Sequence, residues 1–229
     1  MIDLYFWPTG NGKKVVILLE ELGVPYTFRP INIGRGDQLT PAFLKISPNG
    51  RMPAIVDDEP MGGREPISIF ESGAILMYLG EKFGRFYPRD VRARVEVNEW
   101  LFWQVGGLGP MLGQRGHFAV YAKEKLPYAI ERYQNETHRL YGVMDKRLAD
   151  HEFLAGEYSI ADMAAYPWTA SWANQGIDTS EFPHVKRWQD AMAARPAVAK
   201  AMAIKAPTAP TDLTNDEEAR KILFGQRAR

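Results

Sequence analysis

Apolar residues recur along this chain in two rhythms. Over the first third, short apolar runs alternate with helix-length segments, whereas the remainder keeps a helical period nearly throughout. Ile2-Asp3-Leu4-Tyr5-Phe6-Trp7 reads as a buried strand, Pro8 to Gly12 as a turn, and Lys13 to Leu22 as a helix that closes on Gly23. Tyr26 to Ile31 is a second strand and Pro41 to Ile46 a short helix. Ala54 to Asp57 and Pro66 to Ile69 form an antiparallel pair across a Gly-rich turn, followed by a helix over Glu71 to Lys82. The order βαβ, α, ββα fits a thioredoxin-like unit better than a doubly wound sheet.

Beyond that unit the chain reads as an all-α bundle. Ile130, Tyr133, Thr137, Leu140, Tyr141, Met144 and Leu148 mark one face of a long helix whose other face is charged. Ser159 is placed at a helix N-cap with Asp162 three residues on, a capping-box variant, and Tyr158 faces Met163 as a hydrophobic staple. Pro183 to Met192 and Pro196 to Ile204 each open on a proline suited to a first helical turn. Trp100, Phe102 and Trp103 read as core at helical spacing, with an interface as the alternative. Ala206 to Pro210 is a stiff linker, and Asp216 to Phe224 a short helix capped by Thr214 or Asn215. Its Ile222, Leu223 and Phe224 allow docking on the body or on a neighbour, with fraying as the alternative. The expected organisation is therefore residues 1–82, a linker at 83–90, a helical domain at 91–205 and a tail at 206–229, an α+β unit followed by an all-α one.

Composition narrows the function. With 45% hydrophobic and 24% charged residues, the 229-residue chain is that of an ordinary globular protein. Lys plus Arg equals Asp plus Glu at 28 each, which removes the electrostatic case for nucleic acid or an anionic membrane as main partner. Cysteine is absent, so disulfides, thiolate metal sites and protein-thiol nucleophiles are excluded. The N-terminus lacks a basic region before an apolar run, and no stretch approaches the roughly 20 apolar residues of a membrane helix, so a cytoplasmic location is expected. Gly12-Lys13 does not complete a phosphate-binding loop, because Trp7 and Lys14 stand where that motif needs Gly and Ser or Thr. Histidines 117, 138, 151 and 184 lack metal-ligand spacing, and no metal is expected.

Three short segments can carry chemistry. In Pro8-Thr9-Gly10-Asn11-Gly12, between the first strand and the first helix, Thr9 and Asn11 can donate to a developing anion, or the segment is only a turn. Met52-Pro53 precedes a strand, where a cis bond would turn the Met52 backbone toward an extended peptide; a trans bond is the commoner state. At Phe70-Glu71-Ser72-Gly73, a helix start offers Ser72 to a carboxylate and Glu71 to an ammonium, or Ser72 is an ordinary cap. A thioredoxin-like sheet places all three along one edge.

On these residues the sequence resembles the glutathione S-transferase superfamily, most closely its bacterial nu class of disulfide-bond oxidoreductases, related to the yeast nitrogen regulator. The carriers are PTGNG at 8–12, SPNGRMPAIVD at 47–57, FESGAILMYL at 70–79, WLFWQVGGLGPMLGQ at 100–114, PYAIERYQNETHRLY at 127–141 and YSIADMAAYPW at 158–168. The resemblance implies glutathione as co-substrate, in its reduced or disulfide form, and a homodimer. It makes Met52, next to Pro53, the backbone partner of the cysteinyl part, with Glu71 and Ser72 on the γ-glutamyl end. Gln38 is placed near the glycyl region, Thr9 and Asn11 at the sulfur, and Arg132 as a residue reaching the ligand from the neighbouring subunit. Tyr5 is a weaker candidate for the sulfur. The function implied is glutathione-dependent disulfide reduction without a protein thiol. Conjugation of glutathione to small electrophiles and a non-catalytic glutathione-binding regulatory module are the alternatives.

Overall fold

The computed structural model describes residues 1–208, 213 and 215–227. Strands β1 (Ile2–Phe6), β2 (Tyr26–Pro30), β3 (Ala54–Asp57) and β4 (Ile67–Phe70) form one sheet in the order β2-β1-β3-β4. The β1–β2 pair is parallel and the others antiparallel, Leu4 lying opposite Phe28 and Ile55. Burial alternates along β1: Ile2, Leu4 and Phe6 enter the main core, while Tyr5 packs on Phe43 across the other face, with ring centroids 5.9 Å apart. That packing places Tyr5 in a small satellite cluster, and it does not line the cleft described below.

Helix α1 (Gly10–Leu22) packs against α3 (Ser72–Phe83) and also against α7 (Ile160–Thr169) and α9 (Pro196–Ala203) of the helical half. Covered on all sides, it can bury five consecutive apolar residues, Val15 to Leu19. It begins earlier than the sequence pattern predicts. Thr9 is the N-cap, its hydroxyl accepting from the Gly12 N–H at 3.2 Å, so Gly10, Asn11 and Gly12 form the first turn. A Cβ on Gly12 would stand 2.3 Å from the Trp7 carbonyl oxygen. Gly12→Ala is therefore expected to destabilise the chain by about 1–3 kcal/mol through backbone displacement, read as a lowered urea midpoint.

Between α4 (Val91–Trp103) and α5 (Gly109–Gly116) the backbone widens into a π-helical stretch at Gln104–Leu108, and a second follows at His117–Tyr121. Inserted π turns of this kind often sit at functional sites. Helix α2 (Pro41–Leu44) lies under the sheet, and α6 (Pro127–Asp150), α8 (Pro183–Ala193) and α9 complete the bundle. Along α6, Thr137, Leu140, Tyr141, Met144 and Leu148 are buried, the expected face.

Ser159 and Asp162 form the expected capping box at α7. Asp162 does more than cap: its fully buried carboxylate accepts from the N–H groups of Leu154 and Ser159, the Ser159 hydroxyl and the Trp188 indole. Tyr158 meets the rings of Phe86 and Phe153 and lies under the Arg195 guanidinium.

Two expectations need correction. Phe102 is not core: it is 60% exposed, because Trp100, Leu101 and Trp103 face inward and the intervening position turns outward. The last helix, α10 (Glu217–Phe224), is capped by Asp216, which accepts from the Ala219 N–H at 2.9 Å. Thr214 and Pro210 lie outside the described residues. Helix α10 docks on the body of its own chain. Phe224 stacks against Tyr121 and meets His117 edge to face, Arg220 donates to the Tyr121 carbonyl at 2.6 Å, and Arg51 donates to Gln226 at 2.8 Å.

Candidate functional site

The starts of α1 and α3 and the turn before β3 converge on a cleft of about 360 Å³ lined by Thr9, Asn11, Met52, Pro53, Glu71 and Ser72, with Asn49, Arg51 and Trp168 at its sides. Six of the sequence-predicted residues are therefore brought together. The Met52–Pro53 bond is cis. Among the described residues neither the N–H nor the carbonyl of Met52 has a backbone partner, so both are open to an extended ligand.

Each donor at the α1 end has a defined direction. The Thr9 hydroxyl accepts from the Gly12 N–H and donates to the Met52 thioether at 3.8 Å, a weak acceptor that a thiolate can replace. The Trp168 indole donates to Asn11 at 3.0 Å. Because an indole can only donate, the atom it meets is the amide oxygen, and the Asn11 NH₂ is turned to other partners. The first-turn N–H groups of α1 add the positive end of a helix dipole. Together these donors can meet an anion.

The opposite end suits a zwitterion. Glu71 holds φ of +69°, a left-handed conformation that a non-glycine residue adopts at a cost of about 1–3 kcal/mol. Instead of opening α3, as the apolar pattern predicts, Glu71 occupies the N-cap position and Ser72 is the first helical residue. Asn49 donates to the Glu71 carboxylate at 3.3 Å. Glu71 can therefore meet an ammonium while the Ser72 hydroxyl and the N-terminus of α3 meet a carboxylate.

A second compartment of about 260 Å³ adjoins the cleft, sharing Asn11, Glu71, Ser72 and Trp168 and adding Lys14, Pro110 and Gln114. Gln38 lines neither space. Its side chain is turned inward and donates to the Ile33 carbonyl at 3.1 Å, a shielded position in the described chain. Arg132 is exposed on α6, 3.7 Å from Glu136, and does not reach the cleft of its own chain.

Sequence reasoning missed Trp168, Asn49, Arg51, Lys14 and Gln104 as site residues. Asn49, Arg51, Gln104 and Trp168 stand inside motifs already singled out, which was a usable signal. Lys14, one residue after the exposed-looking Lys13, carried none. Among the described residues no cluster of His, Asp or Glu could hold a metal ion.

Two family models match, the N-terminal domain of glutathione S-transferase over residues 4–86 and its C-terminal domain over residues 111–196. The chain belongs to the glutathione S-transferase family. Within it, the chain is 53% identical over 203 residues to the disulfide-bond oxidoreductase YfcG of Escherichia coli, covering 88% of this chain and 94% of that protein. A glutathione transferase family member from Pseudomonas fluorescens, solved with two glutathione bound, is 44% identical with a TM-score of 0.84, covering 88% and 92% of the two chains. A glutathione transferase from Pseudomonas putida, solved with one glutathione disulfide per subunit, is 40% identical with a TM-score of 0.84, covering 89% and 91%.

Proposed function

We propose that this chain is a glutathione-dependent disulfide reductase in which glutathione supplies the only thiol. The observation that carries the reading is the start of α1, where the Thr9 hydroxyl and an Asn11 amide steered by Trp168 face a cleft in a protein without cysteine. The γ-glutamyl end binds at Glu71 and Ser72, the cysteinyl backbone pairs with Met52, and the sulfur lies by Thr9 and Asn11. A free thiol has a pKa of about 8.5, and lowering it by about two units requires about 2.7 kcal/mol in favour of the thiolate. Donors aimed at the sulfur and a helix N-terminus are of the right kind and size.

The chemistry balances with glutathione alone. The bound thiolate attacks one sulfur of a substrate disulfide, forming a mixed disulfide and expelling the other half as a thiolate. A second glutathione thiolate attacks the glutathionyl sulfur, giving glutathione disulfide and releasing the remaining half as a thiolate. Two glutathione molecules are oxidised and one disulfide is reduced to two thiols. The relatives named as an oxidoreductase, or solved with two glutathione or one glutathione disulfide, support this reading.

A homodimer in the cytoplasm belongs to the proposal, with Arg132 serving the neighbouring subunit's ligand. Exposed apolar residues on β4 and α4, Phe70, Val95 and Phe102, are suited to cover by a second copy. Among the described residues no helix is long and apolar enough to cross a membrane.

A second reading, conjugation to an electrophile, is favoured by a cavity of about 490 Å³ that borders Thr9 and is lined by Trp7, Ile33, Ile204 and Leu223. Both readings meet in one experiment. Glutathione-dependent reduction of a small symmetrical disulfide, coupled to NADPH oxidation by added glutathione reductase, is expected to run well above the uncatalysed rate at the same pH. No turnover with glutathione bound would overturn the reductase reading, and conjugate formation from an apolar electrophile would then establish the second.

A further inference from the structure

Lys14 lies inside the molecule at 1% exposure, an unusual place for an ammonium. Its Nζ donates to two side chains from different parts of the fold: the Ser72 hydroxyl at the start of α3, at 3.4 Å, and the Gln104 amide oxygen at the first π-helical stretch, at 2.5 Å. An ammonium can only donate, so it fixes both partners. It turns the Gln104 oxygen inward, leaving the buried amide nitrogen with no acceptor among the described residues. It also occupies a lone pair of the Ser72 oxygen, so the hydroxyl proton must go elsewhere, and the cleft is open on that side.

We propose that Lys14 is a positioning residue for glutathione, acting through Ser72, whose hydroxyl it holds as a donor toward the ligand's α-carboxylate. The inference rests on the reading that the γ-glutamyl end binds at Glu71 and Ser72. Its chemistry has a built-in proton dependence. A neutral Lys14 amine has a lone pair and can accept the Ser72 proton, leaving an oxygen lone pair facing the carboxylate. The grip on glutathione therefore weakens as Lys14 loses its proton.

The surroundings put that change in a physiological range. Burial lowers the Lys14 pKa to about 7, with the Glu71 carboxylate acting in the opposite direction. The other groups meeting it are uncharged: Ser72 from α3, Gln104 from the π-helical stretch and Trp168 from α7 across the shared compartment. Lys13 beside it on α1 is turned to the Met202 carbonyl at 2.8 Å.

The test uses the full chain and S-methylglutathione, whose blocked sulfur removes thiol ionisation from the measurement. Wild-type Kd is expected to rise severalfold as pH goes from about 6 to about 8.5, spanning the lowered pKa. Lys14→Met is expected to bind about tenfold more weakly at the low end and to lose most of the pH dependence. Gln104→Glu, which gives Lys14 a carboxylate partner, is expected to move the midpoint of that dependence to higher pH and serves where Lys14→Met does not fold. In a Ser72→Ala background the effect of Lys14→Met is expected to vanish, since the pair acts as one unit. Wild-type pH dependence persisting in Lys14→Met, an unmoved midpoint in Gln104→Glu, or full additivity with Ser72→Ala overturns the proposal. Unchanged affinity in Ser72→Ala alone overturns instead the placement of the γ-glutamyl end.

Discussion

Asn11→Ala is expected to lower kcat for glutathione-dependent disulfide reduction by about 10²-fold while leaving the KM for glutathione within about twofold. The reason is where the amide acts. On the proposed reading its NH₂ faces the sulfur, and the Trp168 bond at 3.0 Å holds it there without reorganisation when charge develops. Loss of one preorganised donor to an anion costs about 2.7–4 kcal/mol in comparable sites, whereas the γ-glutamyl contacts at Glu71 and Ser72 are untouched. Thr9 and the first turn of α1 remain, which is why activity falls without disappearing. Trp168→Phe, which removes the indole donor together with part of the ring packed on Gly10 and Gly113, is expected to lose about tenfold. Steady-state kinetics together with the ultraviolet absorbance of bound thiolate decide the matter. A KM that rises as much as kcat falls would reduce Asn11 to a binding residue.

Asp162→Ala is expected to produce the largest loss of stability of any single change proposed here, about 4 kcal/mol or more in urea unfolding. The carboxylate accepts two backbone N–H groups, a hydroxyl and the Trp188 indole in a region closed to water, and its removal leaves those donors buried and unpaired. It also removes one half of the capping box that starts α7. Burial pushes the Asp162 pKa up from 3.8 to about 6, against the opposing pull of its hydrogen bonds. Between those pH values the folded chain keeps a proton that the unfolded chain has released. The stability linked to this proton is complete below about pH 4 and is lost as pH rises through about 6, a change of about 3 kcal/mol. The stability difference between wild type and Asp162→Asn is therefore expected to be widest near pH 4 and to narrow above pH 6. A difference independent of pH would mean that the buried carboxyl is charged throughout.

Much of this architecture was legible because it is set by local rules. Strand β1, the Gly23 stop of α1, the antiparallel β3–β4 pair and the Ser159–Asp162 capping box all lie within a few residues of the signals that mark them. What the pattern missed depends on contacts between distant segments. Pro8 to Gly12 reads as a turn, yet Gly10 and Asn11 are helical and lie against Trp168, which stands 157 residues from its partner Asn11. Phe102 reads as core because its neighbours are, although a step of one residue along a helix turns a side chain by about 100°. Lys14 enters the sequence reading only as the residue that breaks a phosphate-loop pattern, and the joining of α1, α3 and the first π-helical stretch shows it as a buried link. At the candidate site the motifs located Thr9, Asn11, Met52, Pro53, Glu71 and Ser72, while the residues that orient them came from elsewhere in the chain.

The bond between Trp168 and Asn11 has a consequence for how such proteins can be recombined. One partner lies in the thioredoxin-like half and the other in the helical half, so the direction of the Asn11 amide is written across both. A chimera joining the first 90 residues of this chain to the helical half of a relative that has an arginine at the place of Arg132 but no indole donor at that of Trp168 is expected, on the proposed reading, to keep its sheet, its bundle and most of its affinity for glutathione. It would inherit a misaimed amide. Exchange of whole halves would then preserve binders more readily than reductases, and compatible partners could be chosen by that one side chain before anything is expressed.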